Sequence, residues 1–188
     1  SPSFLVRTSR ADGMLKVGAT YFYNDIDDMI VAAPPSFQNI NVENVVTNGV
    51  ETFVTIIPIE ILMTRLHYTY TDTEARKAAS FGISEGSRLL RRPLHNFSGD
   101  ISYLFLKDRA QVTLTIFYVG ERADIDPITF ATVTADDYVV VNLPVSFKLR
   151  DDMEIFGRIE NLFDRDYQEV LGFNVPGISA YGGVKISF

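Results

Sequence analysis

The chain has no cysteine, only two histidines, and no apolar run long enough for a membrane helix. Without cysteine there is neither a disulfide framework nor a thiolate metal site. A zinc or haem centre on His67 or His95 would need further ligands that the sequence does not offer, so both read as lumen or loop residues and no cofactor is expected. A helical span takes roughly 18 uninterrupted apolar residues. Here the most apolar stretch, Phe53 to Met63, is broken by Thr55, Pro58 and Glu60. If the chain enters a membrane, it does so with strands. Basic residues are also in deficit: 17 against 24 acidic ones leave a formal charge of −7, the wrong sign for a general nucleic-acid binder. The first residues, Ser1-Pro2-Ser3-Phe4, have no initiator methionine, basic start or signal-peptide core and read as a cut end or a mature segment.

What the chain does have is apolar residues at every second position. Its 188 residues make one domain by length, and 46% hydrophobic content suits a soluble core or a barrel wall equally. The last eleven residues alternate and end on an aromatic: Val184, Ile186 and Phe188 point one way, Lys185 and Ser187 the other. The same alternation runs upstream. Leu15, Val17, Ala19, Tyr21 and Tyr23 oppose Lys16, Gly18, Thr20 and Phe22; Val50, Thr52, Val54 and Ile56 oppose Glu51, Phe53 and Thr55. Leu62 to Tyr70, Asn96 to Phe105, Gln111 to Tyr118, Val139 to Leu149 and Glu154 to Glu160 repeat it, and Leu5 to Ser9 reads as the tail of one earlier strand. Such a wall has oil on one side and water on the other.

Short turns at Pro58-Ile59-Glu60, Lys107-Asp108-Arg109 and Arg150-Asp151-Asp152 alternate with longer loops, through Pro34-Pro35, at 72–94, at 120–137 and before the terminal strand. Outer-membrane barrels show this asymmetry, with short periplasmic turns and long extracellular loops. It would gather Tyr21, Tyr23, Tyr68, Tyr70, Tyr118, Tyr138 and Tyr181 at the outer rim and Phe105, Phe147 and Phe188 at the inner one, as two interfacial girdles. The expected fold is all-β, a portion of an antiparallel transmembrane barrel with about eight or nine meandering strands. The competing readings are a complete eight-stranded barrel, serving as anchor or adhesin, and a soluble β-sandwich binding module.

Glu160-Asn161-Leu162-Phe163-Asp164-Arg165-Asp166-Tyr167, followed by Gly172-Phe173, Pro176-Gly177 and an aromatic-ended strand, resembles the C-terminal end of TonB-dependent outer-membrane receptors. Tyr21-Phe22-Tyr23-Asn24-Asp25-Ile26, Asn48-Gly49-Val50-Glu51, Tyr68-Thr69-Tyr70-Thr71-Asp72, Leu90-Arg91-Arg92-Pro93 and Tyr118-Val119-Gly120-Glu121-Arg122 are similar to upstream stretches of its cobalamin and siderophore branch. The family commonly has arginine after Pro-Gly, where this chain has Ile178. The resemblance implies a barrel of about 22 strands around an N-terminal plug, of which residues 1–188 supply the C-terminal part, without the plug or the earlier strands. It also implies TonB and the barrel-assembly machinery as partners, a ferric siderophore or cobalamin as ligand, a place in the outer membrane beside lipopolysaccharide, and no enzyme activity. In the family, the terminal strand with Val184, Ile186 and Phe188 is the signal that the assembly machinery reads.

Among individual residues, Asp25, Asp27 and Asp28 at a strand-to-loop junction suggest calcium, or simply a solvated acidic loop. Arg91 and Arg92, just before Pro93, suit an anionic headgroup or substrate, or a rim ion pair. The loop aromatics Phe130, Tyr167 and Phe173 suit contact with a bulky ligand. Arg65, Asp100, Arg158, Glu160 and Lys185 face inward as a lumen network. Ser80, Ser84 and Ser87 share a loop without a readable His-Asp arrangement, so no nucleophilic site is expected.

Overall fold

The computed structural model describes residues 3–10, 13–33, 38–77 and 84–187. Nine strands form one antiparallel sheet: β1 (Ser3–Arg10), β2 (Gly13–Ala33), β3 (Gln38–Ile59), β4 (Leu62–Lys77), β5 (His95–Phe105), β6 (Ala110–Val119), β9 (Tyr138–Arg150), β10 (Met153–Glu160) and β11 (Ser179–Ile186). Each pairs with its neighbour in sequence, except that β6 pairs with β9 across a separate hairpin of β7 (Arg122–Ile125) and β8 (Thr132–Ala135). The described residues contain no helix long and apolar enough to cross a membrane. β1 and β11 stand at opposite ends of the strand order, so the described strands do not close a small barrel on themselves.

Register puts the apolar alternation on one face. Leu15 lies opposite Ile56, Leu66 opposite Gly99, Ile101 opposite Leu114, Phe147 opposite Ile155, and Ile155 opposite Val184. Leu15, Tyr21, Tyr23, Ile56, Tyr68, Ile101, Tyr103, Phe105, Val139, Val145, Leu149, Ile155, Val184 and Ile186 are all exposed. Water would make such a surface costly, and hydrocarbon removes that cost. The other face carries the charges: Arg65 opposite Asp100, Lys185 opposite Glu154, and Arg158 paired with Glu160 at 3.0 Å. Asp100 also accepts a 2.8 Å hydrogen bond from Thr115.

Aromatic rings on this inner face lie across glycines of the adjoining strand. A Cβ on Gly18 would sit 2.2 Å from the Phe53 ring, one on Gly49 2.5 Å from the Phe22 ring, and one on Gly183 2.6 Å from the Phe156 ring. The ring covers backbone that would otherwise meet the lumen, and the glycine gives it room. Pro144 interrupts the ladder in β9, because proline has no N–H to donate; the described β6–β9 pairing skips from Val145 to Asn142.

Several expectations need correction. First, β2, β3 and β4 run well past the boundaries expected from the alternation, reaching Ala33, Gln38 and Lys77. Above the bilayer the ladder needs no apolar period, only paired backbone groups, so the polar stretch Asp25–Ile30 stays in register with 41–46. Second, the segment 120–137 is not simply a loop but contains the β7–β8 hairpin. Third, Tyr138 and Tyr181 do not belong to the outward tyrosine row: they pair with Val119 and Arg158, on the inner face. The Arg158 guanidinium lies over the Tyr181 ring, 4.8 Å from its centroid. His95, read as lumen or loop, instead faces outward, where its Nδ1 is 2.8 Å from the Tyr68 hydroxyl and its ring 5.5 Å from that of Tyr70. His67 does face inward, stacked on Phe53 at 6.2 Å.

Candidate functional site

At the long-loop end, the β7–β8 hairpin turns on Asp126. Its carboxylate accepts hydrogen bonds from the N–H groups of Ile128 at 2.9 Å and Thr129 at 2.7 Å, an Asx-type turn that holds the Asp126 pKa below the usual carboxylate value. Phe130 closes the turn in the left-handed region at φ 57° and donates its N–H to the Asp126 carbonyl. That strained backbone at a bulky residue fixes where the Phe130 ring leaves the hairpin.

Two side chains of β7 tie this hairpin to the other loops. Asp124 is fully buried, and its carboxylate accepts from the Arg91 guanidinium and the Ile125 N–H at 2.8 Å each and from the Leu171 N–H at 2.9 Å. Burial pushes its pKa up, but the hydrogen bonds of Leu171, Arg91 and Ile125, with the charge of Arg91, outweigh that and leave it below the ordinary value. Arg122, also buried, donates to the carbonyls of Asp136, Gln168 and Glu169 and lies over the Tyr138 ring at 5.4 Å. Gly172, at φ +86°, passes so close to Pro127 that a Cβ there would meet it at 2.7 Å.

The loop between β10 and β11 has its own frame. Asn161, at φ 52° and buried, donates to the Arg165 carbonyl at 2.9 Å and accepts from the Arg165 N–H at 2.8 Å. Its N–H bonds the Asn142 side chain of β9 at 2.9 Å. Asp164 accepts from the Ile178 N–H at 2.8 Å, which brings the end of the loop back to its start. On the other side, the segment after β4 runs along that strand: Ala75 donates to the Ser87 carbonyl, Leu89 packs against Val45 and Ala75, and Arg88 reaches Asp72 at 3.4 Å. Ser84 and Ser87 bond one another as a turn, and Ser80 lies outside the described residues.

These ties leave a cleft of about 690 Å³ that brings together Arg91, Phe130 and Phe173, with Ile125, Pro127 and Leu171 between them. Tyr167 lines a different cleft, of about 370 Å³, beneath the same loop and against Tyr138, Asn142 and Glu160 of the inner wall. The two tyrosine rings stand 4.4 Å apart, and burial, then the charge of Glu169, raises the Tyr167 pKa. Arg92 is exposed and bonds the Arg91 carbonyl at 3.3 Å, apart from both clefts. Asp25 and Asp27 lie within β2 rather than at a loop junction, and both accept from the Asn44 amide, at 2.8 and 2.9 Å; Asp28 takes the left-handed backbone at φ 58°. Among the described residues no group of three or more His, Cys, Asp or Glu converges as a metal requires. Val184 and Ile186 face outward on β11; Phe188 lies outside the described residues.

Sequence reasoning missed Asp124, Arg122 and Asn161 as the fasteners of this end. The available signal lay in the familiar stretches themselves: the one around Arg91 bonds to Asp124, the one ending at Arg122 holds the carbonyls of Gln168 and Glu169, and Asn161 organises a third.

A single-layer sheet, apolar outside and charged inside, with loops folded over its inner face, defines a wall of a transmembrane β-barrel. Residues 9–162 match the family model described as TonB dependent receptor-like, beta-barrel. The chain belongs to the TonB-dependent receptor barrel family, and its place is the bacterial outer membrane. It is 26% identical over 195 residues to the vitamin B12 transporter BtuB of Photobacterium profundum, covering 100% of this chain and 30% of that protein. It is 27% identical over 195 residues to the iron-regulated outer membrane virulence protein of Vibrio cholerae, covering 93% of this chain and 28% of that one. In fold it matches the ferric-catecholate import receptor Fiu of E. coli K12 at a TM-score of 0.72 and 16% identity, over 99% of this chain and 27% of that one. The chain thus spans about 30% of the length of the first of these relatives.

Proposed function

We propose that this chain is the C-terminal wall and mouth of an active-transport receptor for a scarce, bulky nutrient, cobalamin or a ferric siderophore, and that it binds and conducts rather than catalyses. The observation that carries this reading is the cleft in which Arg91, Phe130 and Phe173, from three separate loops, meet. It offers an apolar surface with one polar edge, the make-up of sites for large amphipathic ligands. Tyr167 stands at the second cleft, nearer the lumen.

Family membership supports the remaining parts of the proposal. TonB would act on a plug seated against the inner face, where Arg65, Asp100, Arg158 and Lys185 lie. Earlier strands would pair with the free sides of β1 and β11, because lipid does not tolerate unpaired backbone groups. The assembly machinery would read β11 through Val184, Ile186 and Phe188, and Arg92 would meet lipopolysaccharide phosphates.

The test is binding of cyanocobalamin and of a ferric siderophore to cells carrying the native protein, the Phe130→Ala variant and the Phe173→Ala variant. The expected result is that one ligand class binds and that each variant weakens it by about tenfold, as for aromatic anchors in a desolvated site. Binding of neither class, or full-strength binding by both variants, overturns the reading.

A further inference from the structure

The geometry points to a binding site for an anionic phospholipid on the outer wall at the short-turn end, distinct from the ligand cleft. Here β6, β9 and β10 carry a groove of about 420 Å³ whose lining is almost wholly apolar. Register explains its shape. Across the strands, one row runs Ala110, Phe147, Ile155 and the next Val112, Val145, Gly157. Phe105, opposite Ala110, completes the first row on the other side. Small residues therefore form the floor, Ala110 being buried, while Phe105, Phe147 and Ile155 form the ridges, Phe105 and Ile155 exposed and Phe147 half-buried. A trough between ridges on a lipid-facing wall takes an acyl chain more snugly than a flat surface does, because more of the chain's atoms find close partners.

Charge complementarity identifies the head. Arg109 sits at the turn end of the groove with its guanidinium 5.4 Å from the Phe147 ring centroid. It is held there by the carbonyls of Lys148 at 3.0 Å and Leu149 at 2.5 Å. Among the described residues no carboxylate pairs with it, whereas nearby Arg150 is engaged by Asp152 at 3.3 Å. A cation fixed by neutral acceptors keeps its charge available for a phosphate. Phe105 and Phe147 mark this end as an interface, and short turns mark it as periplasmic, so the occupant is a glycerophospholipid of the inner leaflet, phosphatidylglycerol, with its phosphate at Arg109 and one chain along Ala110 and Val112.

The test is native mass spectrometry of the protein extracted from its own outer membrane, delipidated, then titrated separately with phosphatidylglycerol, phosphatidylethanolamine and lipopolysaccharide. Phosphatidylglycerol should bind at one site about fivefold more tightly than phosphatidylethanolamine, the preference that one basic side chain supplies at an anionic headgroup. Arg109→Gln should remove the preference and keep chain binding. Gly157→Leu should remove retention of both phospholipids by filling the trough; a Cβ there meets only the Tyr181 carbonyl at 3.4 Å and Val145 at 3.7 Å, ordinary contacts that leave the strand intact. Equal affinity for the two phospholipids, a preference that survives Arg109→Gln, retention that survives Gly157→Leu, or lipopolysaccharide as the preferred occupant overturns the proposal.

Discussion

Arg91 and Asp124, 33 residues apart, meet at 2.8 Å across two loops, with the carboxylate fully buried and the guanidinium partly exposed. The same carboxylate holds the Leu171 N–H of a third loop. One side chain of a four-residue strand thus couples three connections that the sheet itself leaves independent.

Replacing Asp124 by alanine strands Arg91 and two amides. Breaking a buried ion pair by removing one partner costs about 3 kcal/mol, and the loss here is local because β7 and β8 pair only with each other in the described structure. Amide exchange at Ile125 and Leu171 should accelerate by about 100-fold, the factor matching that energy, while exchange in β5 and β6 stays as before. Unchanged rates at Leu171 would show that the loop is held by other contacts.

The same latch has a pH dependence of known sign. The folded pKa of Asp124 is below its ordinary value of 3.8, so its contribution is fully present above that value and is lost as pH falls through the lower, folded one. Pepsin digestion between pH 4 and pH 2 should therefore leave 122–135 and 161–178 intact at the upper end and open them only at the lower. Cutting already at the upper end would contradict the assignment.

The inner-face glycines should differ in tolerance. A Cβ on Gly49 would meet the Tyr70 carbonyl at 2.1 Å, a backbone atom that cannot swing away, whereas on Gly18 the obstacle at 2.2 Å is the Phe53 ring edge. Gly49→Ala should destabilise the sheet by about 2 kcal/mol, in the range of overpacking, and Gly18→Ala by less. The temperature at which the folded, heat-modifiable electrophoretic band disappears gives the order directly.

The two faces should respond oppositely to charge. Ile101→Arg places a cation on the lipid side and should cost about 2–4 kcal/mol if it lies near the bilayer midplane. Thr69→Arg places it on the inner face, opposite Glu51, and should cost little. Urea unfolding in phospholipid vesicles measures both; equal losses would mean that the faces have been assigned wrongly.

Most of the wall was legible from alternation, because period two is a direct consequence of strand geometry and a one-residue slip would turn Leu15 or Ile101 into the lumen. Placing Tyr138 and Tyr181 in the outer row went against it: Tyr138 adjoins outward Val139 and Tyr181 lies three residues before outward Val184, so alternation already turns both inward, and only their aromatic character suggested otherwise. The extension of β2 to Ala33 escaped alternation altogether: in water a strand needs a partner ladder, and nothing in the residues Asp25 to Ala33 names residues 38–46 as that partner.

The candidate site divides along the same line. Phe130, Phe173 and Arg91 stood out as loop aromatics and a loop cation, but only folding put them around one cleft and left Tyr167 at another. Asp124 and Arg122 looked like ordinary polar residues of a loop until burial made their hydrogen bonds obligatory.

Which side chains meet hydrocarbon and which meet the lumen was set by the sequence alone, since the pleat assigns faces strictly by alternation once a strand exists. Which loops touch was decided by tertiary structure, since a connection such as Asp124 to Leu171 spans 47 residues and depends on the order in which β6, β9 and β10 lie side by side. Local chemistry carries no record of that order.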